Sequence, residues 1–162
     1  VKQLTPDKRS QAGVSGIWSP KDVLSHLIGW DKSLQEFIAD PDGFNPEPLY
    51  DTDTFNAKSV SERQRQSWEE TIDELQISCL DLQKAITTVT AKMKIYARVS
   101  GWLKGRREDY EFHTIQMEEW IEQKEKTGVV PATPKKFGEQ YTRKNAALEI
   151  ESIFRQVLSK TQ

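Results

Sequence analysis

The sequence holds two histidines, His26 and His113, and histidine is the side chain whose ordinary pKa lies near neutrality. Each stands in a stretch with helical periodicity. By helical angle His26 sits beside Trp30 and Phe37 at the edge of its apolar stripe, and His113 near the middle of the stripe made by Tyr110, Met117 and Trp120. Asp109 comes one turn before His113, and Gln116 lies close to the same face. Imidazole is suited to general acid/base work, so His26 is the candidate catalytic residue. Neutral imidazole and carboxylate also suit divalent transition ions, which makes His26, Asp109 and His113 a candidate metal set for nickel, zinc or iron. The plainer alternative makes His113 a hydrogen-bonded core residue and His26 part of a cleft wall.

Around these two, Trp30, Tyr50, Asp53, Trp102 and Gln116 are candidate binding residues. Tyr50, Asp51, Asp53 and Asn56 fall in a connection that could complete a cleft, although acids in loops are most often merely solvated. Trp18 and Trp102 also sit in connections and suit an opening, whereas Trp68 and Trp120 suit the core. Lys104, Arg106 and Arg107 form a short basic run at an expected helix start, unfavourable for the helix dipole. The run reads as an anion site or, more simply, as solvated surface. Cys79 lies on an apolar seam without basic neighbours in sequence, so it reads as a core residue and a poor nucleophile. No phosphate-binding loop, dinucleotide turn, nucleophile elbow or zinc-finger spacing occurs.

The elements that must position these groups are helical. Ser19, Pro20 and Asp22 make a strong helix start, and Val23, Leu24, Leu27, Ile28, Leu34 and Ile38 recur on one face. Asp40-Pro41-Asp42-Gly43 ends that helix, and Gly43 to Ala57 reads as an ordered loop over the domain's mouth. Ser59-Val60-Ser61-Glu62 reads as a capping box. Behind it Trp68, Ile72, Leu75, Cys79, Leu82, Ile86 and Val89 keep the seam of a long helix. Thr87 to Val99 reads as an extended crossover, punctuated by Gly101 and Gly105. A third helix is expected from about Arg106 to Lys126, ended by Gly128. After a proline-bearing linker, a fourth is expected over about 142–160, with Ile150, Ile153, Phe154 and Val157 at helical spacing. Four apolar stripes that each need a partner predict an all-α four-helix bundle in one domain spanning 1–162.

Composition narrows the function classes. The 162 residues carry 23 basic and 25 acidic side chains, a net charge of −2, so no basic face for nucleic acid is expected. Mean hydropathy is −0.71 and no apolar run approaches a membrane span. One cysteine excludes an intrachain disulfide and a multi-cysteine zinc site, and a cytoplasmic location is the simplest expectation.

Leu4-Thr5-Pro6, the run from Gly13 through Trp18-Ser19-Pro20-Lys21-Asp22-Val23-Leu24-Ser25-His26-Leu27 to Trp30, and the later Trp102-Leu103-Lys104-Gly105-Arg106 and Asp109-Tyr110-Glu111 together resemble the ClbS/DfsB family of the DinB-like superfamily. The resemblance covers roughly Leu4 to Gln123. It implies a DinB-like four-helix bundle acting on small molecules. ClbS-like members are associated with self-protection, hydrolysing an electrophilic cyclopropane in a genotoxic natural product without evident metal. A tyrosine can stand there where His26 stands here, which suits a general acid/base. Many DinB-like relatives carry one histidine on an early helix and two, one turn apart, on the last, and His26 matches the first. Aligned through Tyr110-Glu111, the later two positions fall on Phe112 and Gln116, with His113 displaced by one; a shifted register pairs Asp109 with His113. The family also carries a helix before the Leu-Thr-Pro segment. Here the helix over 142–160 would fill that slot, as in a circular permutation, or be exchanged between the subunits of a homodimer. The implied function is a small-molecule detoxification or self-protection enzyme, hydrolase- or transferase-like. The alternative is a non-catalytic ligand-binding or dimeric structural bundle with a decayed metal site.

Overall fold

A computed structural model describes residues 4–127. They form six helices: α1 (Pro6–Arg9), α2 (Pro20–Ala39), α3 (Glu47–Tyr50), α4 (Thr52–Glu62), α5 (Trp68–Thr87) and α6 (Tyr96–Thr127). The class is all-α. The only β pairing among the described residues is an isolated bridge between Ser15 and Trp18. None of the described helices is long and apolar enough to cross a membrane. The helix expected over 142–160 lies outside the described residues.

The start of α2 follows its sequence signals closely. The Ser19 hydroxyl accepts from the Asp22 backbone N–H, and the Asp22 carboxylate accepts from the Ser19 backbone N–H, so two otherwise unpaired donors are satisfied. The long α5 uses the same device with Ser67 and Glu70. That is a correction: the box expected at Ser59–Glu62 is not a helix start. Those residues end α4, and the segment read as a loop from Gly43 to Ala57 holds α3 and most of α4. Few apolar residues mark α4, so periodicity alone passes over it; Asp51 caps it by accepting from the Thr54 N–H.

The second correction concerns α6. The expected extended crossover at Thr87–Val99 is a set of turns after which α6 begins at Tyr96, about three turns before the expected start at Arg106. Gly101 and Gly105 are interior to it, with open space where a side chain would stand. Its alternation of Met93, Ile95, Ala97 and Val99 mimics a strand, yet Val99 is buried by helical packing.

Nearly every face of α2 is covered, because it packs against α4, α5 and α6. The core joins Leu24, Leu27, Ile28 and Leu34 of α2 to Trp68, Leu75, Leu82 and Ile86 of α5 and Val99, Leu103, Met117 and Trp120 of α6. The α2–α4 contact depends on Gly29. A Cβ there would stand 2.1 Å from Ser59 Oγ and 2.7 Å from Ser59 Cβ, closer than atoms can pack. Gly29→Ala is therefore expected to cost about 1–3 kcal/mol by overpacking, despite alanine's better helix propensity. Urea unfolding of Gly29→Ala beside Gly29→Ala/Ser59→Gly checks this, since removal of the Ser59 side chain should return part of the loss.

Candidate functional site

The structure brings the two histidines together. His26, in the second turn of α2, and His113, midway along α6, stand edge to face with ring centroids 5.1 Å apart. Both residues are 5% exposed. Trp18 lies against both rings, 5.1 Å from His26 and 6.4 Å from His113, and Phe112 lies 5.2 Å from His113. Trp18 reaches them from a tight turn in which its carbonyl accepts from the N–H groups of Gly13 and Val14. Gly16 holds φ +60 in that turn, a conformation other residues rarely adopt.

Each imidazole is held by a side-chain amide. His26 Nδ1 lies 2.9 Å from Asn56 Oδ1, and the Trp30 indole N–H donates to the same oxygen, also at 2.9 Å. His113 Nδ1 lies 2.8 Å from Gln116 Oε1, while Gln116 Nε2 reaches Ser15 Oγ at 3.5 Å. Asn56 belongs to α4, so the close α2–α4 packing at Gly29 also places the partner of His26. Burial, with the charges of His113 and Arg106 adding to it, lowers the His26 pKa to about 3 against the opposing effect of the Asn56 hydrogen bond. Burial lowers His113 too, offset in part by Gln116 and Asp109. Both rings are neutral near pH 7.

The other sequence candidates divide. Trp30 stands in the site, packed 4.7 Å from Phe55, and Gln116 holds His113. Trp102 stacks on Phe37 at 5.9 Å and meets Trp30 edge-on at 6.4 Å, so it joins the site through a chain of aromatic contacts rather than directly. Tyr50 is 78% exposed on α3 and Asp53 is exposed at the start of α4, so neither side chain is brought to the histidines. Asp51 is likewise exposed, engaged in capping α4.

Behind the histidines lies a buried charged cluster. Asp31 and Arg106, 0% and 1% exposed, pair across α2 and α6 through Nε–Oδ1 at 2.9 Å. The Arg106 guanidinium also donates to Asp109 Oδ2 at 2.8 Å and to the Leu27 carbonyl at 3.1 Å. The other Asp31 oxygen accepts from Tyr110 Oη at 2.6 Å. Burial disfavours charge on Arg106, but Asp31, Tyr110 and Asp109 carry its pKa above the ordinary value. Arg106 is thus neither a surface residue nor part of a helix start, as its place in a basic run suggests; only its neighbours Lys104 and Arg107 are exposed. Cys79 packs against this cluster, 3.2 Å from Tyr110 Oη, and burial followed by the Asp31 charge pushes its thiol up to about 12. It is unreactive as a nucleophile.

The metal set of His26, Asp109 and His113 does not assemble. Asp109 is taken up by Arg106, and a permanent buried cation beside two imidazoles works against a second cation there. Among the described residues no three histidine, cysteine or carboxylate side chains converge to hold an ion. Among the described residues, His26, Asp109 and His113 do not form a set for nickel, zinc or iron. Sequence reasoning passed over Asp31 and gave Arg106 and Tyr110 no joint role, although Asp31 lies four residues from Leu27 on the α2 stripe and Arg106, Tyr110 and His113 follow at helical steps. No protein-family model, curated protein or solved structure matches the chain.

Proposed function

We propose that this is a small-molecule detoxification or self-protection enzyme of the ClbS/DfsB type, built on a DinB-like four-helix bundle and working without a metal. The observation that carries the reading is the pair of buried, neutral imidazoles from α2 and α6 beneath Trp18. His26 is the general base. It takes a proton from water as that water attacks an electrophilic carbon of the substrate, and the imidazolium so formed returns the proton to the leaving group. Trp18, Trp30 and Phe112 supply apolar walls that exclude bulk water.

The test is hydrolysis of a panel of activated cyclopropanes, epoxides and esters, followed by mass spectrometry. His26→Ala and His26→Gln are expected to lower kcat/KM by about 10²–10⁴ on any substrate turned over, and chelator should leave the wild-type rate unchanged. A full rate in His26→Gln would remove His26 as the base. A second reading is favoured by one observation: an imidazole whose pKa is held at about 3 is a weak base. A non-catalytic ligand-binding bundle would retain ligand in solution without product, and would do so in wild type.

A further inference from the structure

We propose that Asn56 and Gln116 lock His26 and His113 as Nδ1–H tautomers, so that both rings present an unprotonated Nε2 acceptor and the site takes an uncharged ligand that donates a hydroxyl. The inference rests on the histidine pair being the ligand site. The starting point is the Asn56 amide, whose orientation is fixed by its neighbour. An indole N–H can only donate, so the Asn56 atom 2.9 Å from Trp30 Nε1 must be the oxygen. That same oxygen lies 2.9 Å from His26 Nδ1, and an oxygen already accepting can bond that nitrogen only if the nitrogen carries the proton. A neutral imidazole has one proton, so Nε2 of His26 keeps its lone pair.

His113 repeats the arrangement on α6. With Gln116 Nε2 directed to Ser15 Oγ, Gln116 Oε1 faces His113 Nδ1 at 2.8 Å and calls for the same tautomer. Two Nε2 lone pairs then belong to rings 5.1 Å apart, and neither ring has an N–H left to donate. The charged groups nearby are already paired: Arg106 with Asp31 and Asp109. Neither imidazole can then donate to an anion, while a hydroxyl can donate to an Nε2 lone pair beside the Trp18 and Phe112 rings. In the resting site neither histidine serves as an acid, so each proton given to a leaving group must first be taken from the ligand or its water.

The tautomers are read directly from long-range proton–nitrogen NMR spectra of the full ¹⁵N-labelled chain at neutral pH. Both imidazoles are expected to show a protonated Nδ1 and an unprotonated Nε2. Asn56→Leu should release His26 alone from that state, Gln116→Leu should release His113 alone, and Asn56→Asp should retain it. An Nε2–H tautomer for either ring in wild type would overturn the proposal, as would an unchanged His26 tautomer in folded Asn56→Leu. If Asn56→Leu does not fold, the wild-type spectrum alone decides. Phenol and its methyl ether anisole, the same ring without the donor, then probe the ligand class. Phenol should shift the His26 and His113 signals with affinity at least about 10-fold above anisole. Equal affinity, or no binding of either, would overturn the donor requirement. None of these readouts needs turnover, so absent hydrolysis counts against the proposed activity and a wrong tautomer counts against the acceptor pair.

Discussion

Arg106→Met is expected to destabilise the protein by about 3–5 kcal/mol, the cost of leaving a buried partner uncompensated. Asp31 is 0% exposed and loses its ion pair, retaining only Tyr110 and the weak Cys79 contact. Asp31→Leu should cost a similar amount, because Arg106 is 1% exposed and its remaining carboxylate, Asp109, is partly open to solvent. The double variant Asp31→Leu/Arg106→Met should be less damaging than the sum of the two, since it removes both charges together and substitutes apolar volume. Urea unfolding of the three variants checks the cycle. A loss within about 0.5 kcal/mol for Arg106→Met, the usual range for a surface site, would contradict the buried pairing of α2 with α6.

The second large effect is acid lability. In the unfolded chain His26 gains a proton as pH falls through 6.5, whereas in the folded protein it stays neutral down to about 3. Between those values the unfolded state binds the extra proton, so stability falls as pH falls. By pH 4.5 the loss from His26 is about 2–3 kcal/mol, and His113, lowered in the same direction, adds to it. Glu74 acts in a lower window. Burial opposes its ionisation, but hydrogen bonds from Lys32, Gln66 and Arg63 hold it at about 2, so its contribution is present above 4.5 and fades as pH falls from there. Thermal unfolding between pH 7 and pH 5 should therefore show a falling Tm in wild type and a flatter profile in His26→Gln. The same slope in both would remove His26 as the cause.

Much of the site-bearing helix α2 was legible because its cap, its proline and its stripe all agree, and the α5 seam was legible for the same reason. The corrections come where local signals compete with packing. Ser59 has the spacing of a capping residue, but its burial against Gly29 puts it inside α4, a contact no short window can contain. Gly101 and Gly105 weaken helix propensity, and the alternation around Ile95 imitates a strand; the anchoring of Val99 and Leu103 in the core carries α6 through both. Arg106 looked solvated because its neighbours are. Its partner Asp31 is 75 residues away, and only the packing of α2 on α6 joins them. The meeting of His26 with His113 was expected from the inward faces of two helices, whereas the capture of Asp109 by Arg106, which dismantles the metal set, required knowing that Arg106 faces inward. Asn56 was legible as a polar residue near the cleft, but its double role toward Trp30 and His26 depends on the unforeseen α4.

The most direct measurement is an NMR titration of the His26 and His113 ring protons from about pH 8 downward, assigned with His26→Gln and His113→Gln. A buried neutral pair predicts that neither signal titrates near pH 6.5 while the protein remains folded, with the His26 midpoint at about 3 or hidden by acid unfolding. A midpoint between about 6 and 7 for His26 in the folded protein would place that ring in water. It would contradict the shared, enclosed site from which the proposed chemistry starts.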